Sequence, residues 1–137
     1  MKIDGQCHCG NIRFEAEVDP EQVRICHCTD CQNSTGSAYR VNVPAAKGTF
    51  KLSGGQVKQY VKTTAESGKK RVQGFCPECG TPIYSSPDHG TEVVGLRVGA
   101  IRQRAELVPK LQQWCRSSLP WAMDLRELRQ VAKQASR

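Results

Sequence analysis

The stretch C-H-C-T-D-C at residues 26–31 is read together with two shorter relatives, C-H-C-G at 7–10 and C-P-E-C-G at 76–80. Together they hold seven of the eight cysteines, Cys7, Cys9, Cys26, Cys28, Cys31, Cys76 and Cys79, with Cys115 alone outside them. A disulfide scaffold spreads its cysteines to staple distant loops, whereas close-spaced pairs chelate. On an extended strand residues i and i+2 face the same way, so CxC offers two sulfurs to one ion. A tight turn does the same for CxxC, at the ~2.3 Å of a zinc–sulfur bond. Soft thiolates at this spacing favour zinc over an iron–sulfur cluster. Redox thiols and two closed zinc knuckles are the competing explanations.

Two closed four-sulfur sites would need eight ligands, and the clusters supply seven. Cys9 and Cys79 are each followed by glycine, while Cys31 is followed by Gln32. Glycine there can take positive φ and turn backbone N–H groups toward a thiolate. Cys7, Cys9, Cys76 and Cys79 are therefore expected to form one closed structural site, closing a loop of about 65 residues as part of folding. Cys26, Cys28 and Cys31 are left as three ligands beside an open position, the pattern of a catalytic zinc. Cys115 is either the fourth sulfur of that site or, the favoured expectation, a small buried hydrophobe. His8 and His27 lie between paired cysteines, so strand alternation turns their rings away from the adjacent ion.

The 137 residues carry 20 Lys+Arg against 13 Asp+Glu, a formal charge of +7, with 38% hydrophobic residues. That length fits one domain and that composition disfavours disorder. No run reaches the ~18 apolar residues of a membrane helix, and M-K-I-D-G-Q-C-H-C-G lacks a signal-peptide core, so the expected compartment is the cytoplasm. Thiols are kept reduced there, which again turns the cysteines toward metal.

The remainder reads as short strands followed by one helix. Ile12, Phe14, Ala16 and Val18 alternate with polar residues, as do Tyr39, Val41 and Val43 up to Pro44. Phe50 and Leu52 run into Gly54-Gly55, a turn signal, with Val57 to Val61 as the return strand. Residues 62–71, containing T-T-A-E-S-G-K-K-R, predict a mobile hairpin tip. Val72–Phe75 and Ile83–Ser85 flank the CPEC knuckle as a hairpin, and Glu92–Val98 is a further strand. Asp124 with Glu127 forms a capping box. Leu125, Leu128, Val131 and Ala132 then make the apolar face of a C-terminal helix over 123–135, with Arg126, Arg129, Lys133 and Arg137 opposite. The expectation is a mainly β single domain, residues 1–137, held by zinc with that helix appended.

The ordered motifs C-H-C-G, C-H-C-x-x-C, F-C-P-E-C-G and S-x-L-P-W (Ser117–Trp121) resemble the glutathione-dependent formaldehyde-activating enzyme family. Eukaryotic centromere protein V carries a domain of the same kind. The likeness runs from Gly5 to Trp121. It implies the Mss4-like β-tent of antiparallel sheets and two zinc ions per chain. Cys7, Cys9, Cys76 and Cys79 would hold the structural zinc, and Cys26, Cys28 and Cys31 the catalytic one. It also implies a carbon–sulfur lyase reaction that joins glutathione and formaldehyde into S-hydroxymethylglutathione or cleaves that adduct, with glutathione as the partner.

Around the second cluster the acid/base candidates are Asp30, His27 and Tyr39, and spacing alone does not rank them. Asp30 could equally cap a short helical turn. His89 reads as a solvated surface histidine, and Trp114 and Trp121 as core residues ahead of pocket-lining ones. A non-enzymatic zinc module for a protein or nucleic-acid partner is the alternative, supported by the +7 charge and by Lys69-Lys70-Arg71. Only 6% aromatic residues and no groove-reading motif count against nucleic acid. A thiol redox enzyme would have to rely on Cys115, which lacks an activating base in the sequence.

Overall fold

The computed structural model describes residues 1–89 and 93–136. Ten strands form two sheets. The smaller contains β1 (Lys2–Gln6), β2 (Ile12–Glu17) and β5 (Lys51–Gly54) in the order β1-β2-β5. The larger contains β3 (Arg24–Cys26), β4 (Arg40–Pro44), β6 (Lys58–Lys62), β7 (Arg71–Phe75), β8 (Pro82–Pro87), β9 (Gly95–Arg97) and β10 (Leu111–Gln113). Its order is β10-β3-β4-β9-β8-β7-β6. All pairs are antiparallel except β10 with β3, which runs parallel.

The alternation in β2 does what the sequence asks. Ile12, Phe14 and Ala16 are buried while Arg13, Glu15 and Glu17 face water. Burying Ile or Phe contributes about 1.5–3 kcal/mol each, and a one-residue slip would turn all three to solvent, so the register is fixed. Phe50 bridges the sheets, with ring centroids 6.0 Å from Phe14 and 5.3 Å from Tyr84 of β8. Single bridges from Gly5 to Ile101 and from Val18 to Ala45 join the same two regions.

Several expectations are corrected. The return strand β6 does not fold back on β5. It pairs with β7 in the larger sheet, because Tyr60 and Val61 find their cross-strand partners Gln73 and Val72 there. The segment between β6 and β7 makes side-chain contacts at the surface: Thr64 donates to Asp30 at 2.7 Å and Arg116 donates to both Glu66 oxygens at 3.1 Å. The strand expected at Glu92–Val98 is confined to Gly95–Arg97, with Glu92 outside the described residues.

The C-terminal helix over 123–135 is not formed. A short 3-10 turn at Pro120–Met123 leads into turns and bends, and Arg137 lies outside the described residues. The residues of the expected apolar face do not enter the core, and Leu125, Leu128 and Val131 are exposed. An isolated helix of this length is marginal in water. Asp124 instead accepts from the Arg126 backbone N–H at 3.0 Å and from its guanidinium, a local turn that competes with helix. The α-helix of the described chain is α1 (Thr29–Thr35), inside the second cysteine cluster.

Candidate metal centres

The cysteines converge as two groups, Cys7 with Cys9, Cys76 and Cys79, and Cys26 with Cys28 and Cys31. Within each group the sulfurs lie within 4.8 Å of one another. In the first, Cys7 Sγ is 3.6 Å from Cys9 Sγ, and Cys9 Sγ is 3.8 Å from Cys76 Sγ. A tetrahedron built on ~2.3 Å zinc–sulfur bonds has edges of about 3.8 Å, so this thiol set fits the ion. The loop after β1 supplies two ligands and the β7–β8 loop the other two, so the site clamps one sheet to the other. Gly10 and Gly80 have φ of 82° and 78°, the left-handed turns anticipated after Cys9 and Cys79. Ile12 donates its backbone N–H to Cys7 Sγ at 3.2 Å.

The second group sits where β3 runs into α1. Cys28 caps the helix by accepting the Cys31 N–H at 3.3 Å, and Gly36 closes it with φ 64°. Gln32 follows Cys31 in place of a glycine because the chain continues as helix. Its amide donates to the carbonyls of His27 at 2.7 Å and Ser117 at 2.9 Å, fixing the knuckle to the chain after β10.

The thiols do not ionise evenly. Cys31 lowers the Cys26 pKa to about 5, helped by the Cys28 backbone N–H and Gln113, while burial opposes. Cys31 is itself raised, first by Cys26 and then by burial. In the other group the Thr81 hydroxyl leads in bringing Cys79 down to about 5. Cys9 is pushed up to about 12: the Asn11 N–H favours its thiolate, but burial and the neighbouring thiols outweigh it. Crowded sulfurs cannot all carry charge unaided, and a bound cation removes the conflict. Both donor sets therefore suit a soft divalent metal. Two such clusters on this β scaffold define a protein with two candidate thiolate metal sites, one of four cysteines and one of three.

A sequence model of the glutathione-dependent formaldehyde-activating enzyme family matches residues 2–117, and the chain belongs to that family. The match stops short of Leu119-Pro120-Trp121. A Halomonas elongata protein named "Putative glutathione-dependent formaldehyde-activating enzyme" is 23% identical over 97 residues, covering 69% of this chain and 62% of that protein. A Schizosaccharomyces pombe protein named as an uncharacterized lyase is 27% identical over 89 residues, covering 65% of this chain and 61% of its own. The chain thus spans about three fifths of the length of these relatives. A crystal structure of a Rhodobacter sphaeroides protein shares the fold, with a TM-score of 0.61 at 19% identity, over 80% of this chain and 98% of that one.

The remaining candidates separate. Cys115 lies outside both thiol groups and is exposed, not buried, because Trp114 adopts φ 60° and turns the chain into a surface 3-10 helix. Trp114 and Trp121 are exposed rather than core, Trp114 lying beneath the Arg116 guanidinium at 4.9 Å. His27 is buried with Nε2 on Gln112 Oε1 at 2.8 Å, its ring in a T-shaped contact with Tyr39, and its Nδ1 without a partner among the described residues. Asp30 accepts from Lys62 at 2.9 Å and Thr64 at 2.7 Å, and Lys62 leads in holding its carboxyl below the usual range. His89 is solvated beside Asp88. Among the described residues no helix is long and apolar enough to cross a membrane.

Sequence reasoning missed the buried arginines. Arg40 and Arg97 are 6% and 8% exposed on the larger sheet. Burial first, then Arg40, brings the Arg97 pKa down to about 9, with Cys31 and Cys26 favouring its charge, so it is a cation at neutral pH. The sequence places Arg40 at the head of R-V-N-V and Arg97 within L-R-V, which puts each on a strand without marking it as buried.

Proposed function

We propose that this chain is a zinc-dependent carbon–sulfur lyase-type enzyme acting on a thiol–aldehyde adduct, with S-hydroxymethylglutathione as the adduct made or cleaved. The observation that carries this is the three-sulfur group of Cys26, Cys28 and Cys31 beside a complete four-sulfur group, in a member of this family. Zinc at those three cysteines would supply a position for a substrate thiol and keep it a thiolate near neutral pH.

The chain's own residues set the rest. Cys28 fixes the knuckle by capping α1, and the Gln32 side-chain amide ties it to Ser117, so the turn that carries the three sulfurs is braced from both sides. In the joining direction sulfur attacks the aldehyde carbon, a C–S bond replaces the carbonyl π bond, and the resulting alkoxide takes a proton. Cleavage reverses this and returns the sulfur as thiolate. Asp30 serves as an ion-paired anchor of Lys62 and Thr64 rather than as a proton donor. His27 Nε2 is engaged by Gln112, and the ring stands against Tyr39.

Zinc content and a cobalt-substituted spectrum test the proposal. The expected result is about two metal ions per chain and a thiolate–metal band that changes when glutathione is added. Full metal occupancy with a spectrum indifferent to glutathione overturns it.

A further inference from the structure

One face of the larger sheet is strongly cationic. Cys26 opposes Arg40, Asn42 opposes Arg97, and Lys62 opposes Arg71 in the strand register. Gly95 opposes Ser85, which opposes Gln73, and this completes the row between Arg97 and Arg71. Opposed residues project to the same side and alternate residues return to it, so Arg40, Arg71, Arg97 and Lys62 share the face of Cys26.

No carboxylate among the described residues pairs with the two buried guanidiniums. Arg40 Nη2 donates to Ser34 Oγ at 2.6 Å. Arg97 donates to Asn42 Oδ1 and Gln73 Oε1, each at 2.5 Å. The Nε–H of both arginines is buried with no acceptor. A buried cation in that condition is unfavourable unless an anion comes close. The thiol group supplies part of it: three thiolates around a divalent ion leave one negative charge, and Asp30 adds another. Against four cations, two positive charges remain over. A substrate thiolate would cancel one, and a carboxylate on the same substrate would cancel the other.

The same side of the sheet carries a groove of ≈ 580 Å³ between α1, the helix that contains Cys31, and the β7–β8 knuckle, lined by Asp30, Ser34, Arg40, Tyr60, Lys62 and Gln73 among others. Arg97 lies behind it, bonded to Gln73. That volume is in the range of small-molecule sites.

We infer that Arg40 and Lys62 recognise a carboxylate of the substrate, selecting thiols that carry an acid group over neutral thiols of the same size. This assignment rests on the three-cysteine centre as the thiol site proposed above. Its test is separable from that reading, because S-methylglutathione keeps both carboxylates but has no free thiol. The zinc-loaded full chain is titrated calorimetrically with S-methylglutathione and with its dimethyl ester. The acid is expected to bind at least ~10-fold tighter, and Arg40→Gln or Lys62→Gln to remove most of that preference at unchanged zinc content. Should Arg40→Gln fail to fold, Lys62→Gln, whose side chain sits at the groove surface, decides the matter. Equal binding of acid and ester, undetectable binding of the acid, or a preference that survives the substitution overturns the assignment. Glutathione added to the cobalt-substituted protein reports the thiol site independently.

Discussion

Cys28 has two roles at one atom. Its sulfur belongs to the three-thiol group and also caps α1 through the Cys31 N–H. Serine would keep the cap but replace a soft thiolate with a poor zinc ligand. Cys28→Ser is therefore expected to retain the fold by circular dichroism and to hold about one zinc ion per chain where the parent holds about two. Cys115→Ser, at an exposed residue outside both groups, should leave metal content unchanged, and Cys76→Ser should unfold the chain. A structural zinc contributes roughly 10–16 kcal/mol in small peptides, more than the ~5–15 kcal/mol stability of a typical domain. Metal analysis beside a thermal melt checks all three. The cysteine pairs were legible in the sequence because CxC and CxxC are local spacings, although Cys7–Cys9 lies in a turn after β1 and not on the extended strand expected for it. Arg40 and Arg97 were not, because an arginine in a sequence reads as exposed until the neighbours that bury it are known.

Elements that carry their own partner in their sequence were legible too. β2 displays its core face in its alternation, and the β7–β8 hairpin is announced by the knuckle between its strands. β5 and β6 show the limit. The Gly54-Gly55 turn is real, with Gly54 at φ 86°, yet it delivers the chain to a different sheet, and no local pattern encodes which sheet edge is free. The C-terminal segment fails the other way. Its capping box and apolar period describe a helix that does not form, and 53%, 60% and 49% exposure at Leu125, Leu128 and Val131 leaves them outside the core. Truncation after Met123 is therefore expected to shift the melting temperature by less than about 2 °C and to leave the zinc content as it was. A larger drop would mean that the segment packs in solution.

At the scale of the whole molecule, charge and metal belong together. Seven thiolates with two divalent zinc ions would add about −3 to the formal +7, leaving about +4. Part of the basic excess thus sits as counter-charge on the Cys26 side of the larger sheet, in a recessed groove. That arrangement suits a small anion better than the extended backbone of a nucleic acid. Such a field acts on encounter as well as on binding, and salt screens it: the Debye length falls from ~30 Å at ~0.01 M to ~3 Å at ~1 M ionic strength. Glutathione, carrying carboxylates, should therefore bind the cobalt-substituted protein several-fold more weakly as salt rises across that range. 2-Mercaptoethanol, neutral until it reaches the metal, should change little. The two titrations share the protein, the metal and the spectral band, so only ligand charge separates them. Parallel weakening of both thiols would point to salt acting on the metal centre itself, and a salt-independent glutathione affinity would remove long-range steering by the cationic face.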